Sequence, residues 1–143
     1  MCAVFGRLPK RILIIDDDID LLMLLERRLD REGYAIETAA SLSEAEEILT
    51  YFSPHLVLLD INVNGKDGRK LCWTLKNSKE IPPAKVIIMS GYDFSISRAV
   101  LFGADDLLPK PFSLDFLLHR VEILLEQQQE NNPSVSDIIR KTD

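Results

Sequence analysis

Cysteine is scarce in this sequence: the 143 residues hold two, Cys2 and Cys72. Two thiols cannot build a disulfide framework, so a reduced, cytoplasmic compartment is expected. Histidine is equally rare, at His55 and His119, and no Cys/His spacing suits a zinc site. Positive charge is not in excess either, since 17 Lys and Arg face 23 Asp and Glu, for a net charge of −6. A general nucleic-acid binder carries a basic footprint, so no direct nucleic-acid binding is expected. No apolar run approaches the length needed to cross a bilayer. Residues 1–8 lack the apolar centre of a signal peptide, so no membrane association is expected. Internal repeats are absent from the sequence.

What remains is an ordinary globular balance, 46% hydrophobic and 28% charged. The length suits one domain with a substantial core. We expect a leader over residues 1–9, a domain over 10–127, and a polar tail or linker over 128–143, where Pro133 breaks the pattern. No DNA-binding output domain is expected within the chain.

The run His-Leu-Val-Leu-Leu-Asp at 55–60 organises the rest. Short, rich in Val and Leu, and entered after Pro54, it reads as a strand buried on both faces. Such strands belong to parallel sheets covered by helices. Ligands and chemistry in these sheets sit at the carboxyl ends of the strands, where Asp60 falls. A carboxylate beside so apolar a run needs a cation or hydrogen-bond donors.

Three further strands follow the same plan. Ile12–Ile15 ends in Asp16-Asp17-Asp18, residues 85–89 end in Ser90-Gly91, and the brief run at 106–108 precedes Lys110-Pro111. Residues 34–38 make a fifth, weaker strand. Helices fill the gaps. The first has Asp18 as N-cap, Leu21, Leu22, Leu25 and Leu29 on one face, and Gly33 at its end. The second opens on Ser41 with Glu44 completing a capping box. A third spans 69–77, a fourth about 94–102, and a last one is capped by Ser113. The polar residues 62–68 read as a loop. Five strands alternating with five helices predict an α/β, flavodoxin-like (βα)5 sandwich with parallel strand order 2-1-3-4-5.

In that order strands 1, 3, 4 and 5 are neighbours, so Asp16, Asp17, Asp60, Ser90 and Lys110 converge. Three carboxylates without histidine form an all-oxygen site suited to Mg²⁺. Ser90 and Lys110 are placed to hold phosphoryl oxygens. A carboxylate can itself be a nucleophile, giving an aspartyl phosphate, with charge neutralised by metal and lysine.

Asp16-Asp17, Asp60, Asp67-Gly68, Ser90, Gly103-Ala104-Asp105 and Lys110-Pro111-Phe112, in this order at these strand ends, resemble the receiver domain of two-component response regulators. The resemblance covers about residues 11–125. It implies that Asp60 accepts a phosphoryl group from a histidine kinase or phosphotransfer protein. It implies Mg²⁺ held directly by Asp17, Asp60 and the backbone carbonyl of Asn62, and by Asp16 mainly through water. Ser90 and the Gly91 N–H would bind phosphoryl oxygens, Lys110 would pair with the phosphate, and the peptide before Pro111 would be cis. The modified domain would then switch a protein–protein contact with a downstream protein or an output domain. It would assist its own phosphorylation and hydrolysis without being a conventional turnover enzyme. Tyr92, two residues after Ser90, would tune the lifetime of the phosphorylated state together with Asn62.

Three departures stand out. Leu107 replaces a common Tyr or Phe, Val63-Asn64 replaces a common Met-Pro, and the segment from Ser90 to Gly103 is short, so the fourth helix is expected to be truncated or irregular. They motivate an alternative, an interaction module that keeps the fold and uses no phosphate. A phosphatase with an Asp nucleophile is disfavoured, because Asn62 rather than an acid lies two residues after Asp60. Taken singly, Asp16-Asp17 would be a helix cap, Asp60 a loop acid, Lys110 a solvated lysine and Ser90 a turn residue. His55 and His119 read as structural, and Trp73, Cys72 and the leucines of the last helix as packing. Met23 and Leu24 lie off the core face of the first helix and, with the loop after Lys110, are candidates for kinase docking.

Overall fold

Alternate residues of the apolar strands are sorted onto opposite faces of one sheet, and that sorting creates two separate cores. The computed structural model describes residues 8–91 and 102–130, with side chains to 126. Its elements in chain order are β1 (Arg11–Ile15), α1 (Ile19–Arg31), β2 (Ala35–Ala39), α2 (Leu42–Leu49), β3 (Leu56–Asp60), β4 (Asn62–Val63), β5 (Lys66–Asp67), α3 (Arg69–Asn77), β6 (Lys85–Ser90), β7 (Asp106–Pro109) and α4 (Leu114–Glu130). The main sheet runs β2-β1-β3-β6-β7 with every pairing parallel. Counting its five strands in chain order, this is the expected 2-1-3-4-5 arrangement.

Leu13, Ile15, Val57, Leu59, Val86 and Ile88 pack beneath α2 and α3, against Ala45, Ile48, Leu71, Cys72 and Leu75. On the other face, Ile12, Ile14, Leu56, Leu58, Ile87 and Met89 meet Leu22, Leu25 and Leu29 of α1 and Leu117, Val121, Leu124 and Leu125 of α4. All five residues of β3 are buried. Each large aliphatic side chain removed from water contributes about 1.5–3 kcal/mol. Two such layers supply the stabilisation that lets buried acids persist at the sheet edge.

The helix ends follow local chemistry. The Asp18 carboxylate accepts from the Leu21 N–H at 3.2 Å, and Ser41 Oγ accepts from the Glu44 N–H at 3.1 Å. The returning half of the capping box lands one residue early: Glu44 accepts from the Ala40 N–H, not that of Ser41. Ser113 Oγ accepts from the Phe116 N–H at 3.1 Å.

Two expectations need correction. Residues 62–68 are not an irregular loop, because β4 and β5 form an antiparallel hairpin, with Asn62 opposite Asp67 and Val63 opposite Lys66. Asn64 and Gly65 take φ of 53° and 78°, the pair of positive values that closes a two-residue turn matched to strand twist. Trp73 is not packing, since it is 54% exposed. The buried stripe of α3 is Leu71, Cys72 and Leu75, and a 100° step per residue turns Trp73 away from it. The fourth helix expected at about 94–102 lies, apart from Phe102, outside the described residues, as do Tyr92, residues 1–7 and residues 131–143.

The parallel register decides where the chain's polar residues meet. Ile15 pairs with Leu59, Asp60 with Met89, and Ser90 with Pro109. Asp16, Asp60, Ser90 and Lys110 therefore stand at one edge of four adjacent strands.

Candidate functional site

β1 delivers Asp16 fully buried and Asp17 exposed, and β3 delivers Asp60 at 7% exposure. Oxygens of Asp16, Asp17 and Asp60 all lie within 4.8 Å of one another. Three like charges so close repel, and the structure shows what offsets them. Lys110 Nζ lies 2.7 Å from Asp16 Oδ2 and 3.6 Å from Asp60 Oδ2. Main-chain donors take other oxygens: the Asp18 N–H bonds Asp16 Oδ1 at 2.9 Å, the Asn64 N–H bonds Asp17 Oδ2 at 2.9 Å, and the Asn62 N–H bonds Asp60 Oδ1 at 3.3 Å. Both oxygens of Asp16 are thus engaged, whereas Asp17 Oδ1 accepts no hydrogen bond among the described residues.

One lysine does not balance three acids. Burial, followed by the Asp16 charge, pushes the Asp60 carboxyl up to about 6, with a smaller push from Asp17, against the pull of Lys110 and the Asn62 N–H. Burial draws the Lys110 ammonium down, but its bond to Asp16 and the charges of Asp16 and Asp60 outweigh this and raise its pKa. A compact all-oxygen donor set with surplus negative charge fits a hard divalent cation and resembles an Mg²⁺ site.

The Asp60 shift has a defined consequence for stability. The folded chain holds this proton to about pH 6 and the unfolded chain to about 3.8. Ionising Asp60 therefore destabilises the metal-free fold progressively as pH rises through that window, fully so above it. Asp60→Asn removes the penalty. We expect it to stabilise the protein in EDTA at pH 7 by about 1–2 kcal/mol after allowance for solvent screening. Urea unfolding at several pH values checks this, with the gain vanishing below pH 3.8.

Ser90 is 2% exposed at the end of β6, one residue beyond the partner of Asp60. Gly91 is exposed beside it. The Lys110 N–H donates to the Ser90 carbonyl, and the Lys110–Pro111 peptide is cis. Asn62 begins β4, immediately beyond Asp60-Ile61. The expected residues at 16, 17, 60, 62, 90, 91 and 110 thus share one edge of the sheet.

The chain belongs to a known family on this pattern. The response regulator receiver domain family matches residues 12–122. This chain is a response regulator receiver domain. The receiver is 36% identical over 123 residues to the response regulator MprA of Mycolicibacterium vanbaalenii, covering 84% of this chain and 52% of that protein. It is also 36% identical over 127 residues to the probable transcriptional regulator ycf27 of Cyanophora paradoxa, covering 89% and 52%. The chain therefore spans about half the length of the curated relatives it matches. Among solved structures, a signal receiver domain from Bermanella marisrubri is 35% identical with a TM-score of 0.76, over 82% of this chain and 99% of that one. A response regulator protein from Burkholderia pseudomallei, solved with a phosphorylated aspartic acid, a calcium ion and citrate, is 30% identical with a TM-score of 0.69, over 88% and 76%.

Several supporting residues of this receiver were not singled out for a physical role in the sequence. Asp105 accepts from Lys76 Nζ at 2.8 Å and from the Val86 N–H at 2.8 Å, tying β6 to α3. That explains the acid in Gly103-Ala104-Asp105. Arg69 forks onto Asp67 and lies over the Phe102 ring at 5.3 Å. Asn64 reaches Asp17, as described above, and its signal was the Asn-Gly dipeptide. Leu107 is half-buried against the core beneath α2 and α3. The aromatic residue common at this position in the family has no counterpart here.

Among the described residues, no helix is long and apolar enough to cross a membrane.

Proposed function

We propose that this receiver domain takes a phosphoryl group from a histidine kinase or phosphotransfer protein onto Asp60. The observation that carries the proposal is the convergence of Asp16, Asp17 and Asp60 oxygens within 4.8 Å, bridged by Lys110. An Asp60 carboxylate oxygen attacks phosphorus as the bond from phosphorus to the donor's imidazole nitrogen breaks, and the electron pair of that bond stays on the nitrogen. The nucleophile must be ionised; with its carboxyl pushed up to about 6, Asp60 is ionised above that pH, and a cation bound beside it would extend ionisation to lower pH. Mg²⁺, when bound, neutralises charge on the phosphoryl oxygens. Asp17, Asp60 and the Asn62 carbonyl are the residues to hold it, with Asp16 acting mainly through water. Ser90 and the Gly91 N–H bind phosphoryl oxygens at the neighbouring strand end. Lys110, already facing Asp60, pairs with the phosphate. The domain thereby assists its own phosphorylation and hydrolysis, and the modified state alters a contact with a downstream protein or output domain.

The test is labelling by acetyl phosphate across a range of Mg²⁺ concentrations. Asp17→Ala is expected to need at least about tenfold more Mg²⁺, a loss of ~1.4 kcal/mol. Equal Mg²⁺ dependence in Asp17→Ala and wild type would contradict the assignment.

In this reading the kinase docks on α1 near Met23 and Leu24 and on the loop after Lys110, beside the start of α4. Ile19, Met23, Leu24 and Phe116 are 54%, 56%, 50% and 51% exposed. Arg28 reaches Asp115 at 3.7 Å, linking the two helices. Exposed apolar groups ringed by charge suit a partner helix. Leu24→Asp is expected to slow phosphotransfer from the cognate kinase by about tenfold, in line with a peripheral anchor of ~1.4 kcal/mol, while acetyl phosphate labelling stays intact. Loss of both activities would point to misfolding and remove the case for docking here.

A further inference from the structure

The Asn64-Gly65 turn is held by more than its own hairpin. The Asn64 main-chain N–H donates to Asp17 Oδ2 at 2.9 Å, and the Asn64 side-chain Nδ2 donates to the Ala40 carbonyl at 3.0 Å. One residue thus joins three segments: the exit of β1, the exit of β2 and the hairpin that follows β3. Turn geometry alone does not call for asparagine, because glycine adopts a φ of 53° with less strain. The side-chain amide adds a bond that glycine lacks. Asp17 also needs an anchor. It is exposed on the segment between β1 and α1, and repulsion from Asp16 and Asp60 drives its carboxylate outward. The Asn64 N–H fixes one oxygen and leaves the other for the cluster.

We propose that Asn64 is a positioning residue. Its side chain fixes the turn on Ala40 so that its main-chain N–H presents the Asp17 carboxylate for a divalent cation. The proposal rests on the metal-site reading above. It also gives a reason for asparagine at a position where proline, lacking an N–H, offers no such bond.

The test compares wild type with Asn64→Gly. Mg²⁺ is titrated against backbone amide shifts, and thermal unfolding is measured in EDTA. Asn64→Gly retains the N–H, and relief of the positive-φ strain offsets part of the loss of the exposed bond to Ala40, so its unfolding temperature in EDTA is expected to fall by less than about 2 °C. Its Mg²⁺ affinity is expected to fall about fivefold, the scale of one lost hydrogen bond. In wild type the Asn64 amide proton is expected downfield, moving upfield in Asp17→Ala. Wild-type Mg²⁺ affinity in Asn64→Gly overturns the proposal. So does a fall in affinity matched by an equal loss of stability in EDTA, which would reduce Asn64 to a turn former. If wild type binds no Mg²⁺, the metal-site reading fails first and the role of Asn64 falls with it.

Discussion

Lys110→Ala is expected to lower the unfolding free energy in EDTA at pH 7 by about 2–4 kcal/mol, somewhat below the ~3–5 kcal/mol for breaking a fully buried ion pair because the Lys110 side chain is partly exposed. The reason lies with the partner left behind. Asp16 is fully buried, and its Oδ2 has the Lys110 ammonium at 2.7 Å. Removing that ammonium leaves a desolvated carboxylate beside Asp60 and Asp17 with no counter-charge. Mg²⁺ replaces part of the missing positive charge, so adding it should recover part of the loss through binding to the folded state alone. Acetyl phosphate should still label the variant to some extent, because Asp60 and Asp17 remain. The conformational response should be lost with the phosphate's cationic partner. Urea unfolding with and without Mg²⁺ measures the first effect. A change below about 0.5 kcal/mol, typical of a surface pair, would show that Lys110 does not neutralise the cluster.

Gly68→Ala is expected to destabilise the protein by about 2–3 kcal/mol through overpacking. Gly68 precedes α3, and its N–H donates to the Ile61 carbonyl at 2.7 Å. Its φ of −73° is open to any residue, so conformational freedom is not the issue. Space is: a Cβ here is driven into the Asp60 carbonyl oxygen and reaches 3.2 Å from Leu59 Cδ1. The obstacle is the backbone of a fully buried strand, which cannot yield as a flexible side chain would. Either the first turn of α3 lifts or the end of β3 shifts, and the second outcome displaces Asp60 itself. Thermal unfolding and the Mg²⁺ affinity of Gly68→Ala report the two outcomes separately. Wild-type values in both would show that the close approach carries no weight.

The strands and the acidic cluster were legible because each signal is local. An apolar run ending in a carboxylate, as at Leu56–Asp60, announces both a buried strand and a strand-end group. Parallel topology then brings distant ends together without knowledge of side-chain contacts. Asp18, Ser41 and Ser113 were readable as caps for the same reason, since their bonds span three residues. The hairpin was missed because its strands have two residues each, too few for any alternation to show. The Asn-Gly pair carries the whole signal, and by itself it is compatible with a loop as well as with a hairpin turn. Trp73 is apolar by residue type, which points to packing, but its angle on the helix opposes that of Leu71 and Leu75 and turns it to solvent. The Lys76–Asp105 and Arg69–Phe102 contacts join α3 to residues about thirty positions away. Nothing in local periodicity reports such pairs. The physical reason for the Asp-Gly and Gly-Ala-Asp motifs became visible only with those contacts in place.

The most direct measurement is the intact mass of wild type and Asp60→Asn after incubation with acetyl phosphate, with Mg²⁺ or with EDTA, followed by mapping of any modified residue. Wild type with Mg²⁺ is expected to gain one alkali-labile phosphoryl group on Asp60. Wild type in EDTA and Asp60→Asn under either condition are expected to gain none. Labelling of Asp60→Asn at the wild-type rate, or a wild-type modification mapped to another residue, would contradict the assignment of Asp60 as the phosphoacceptor.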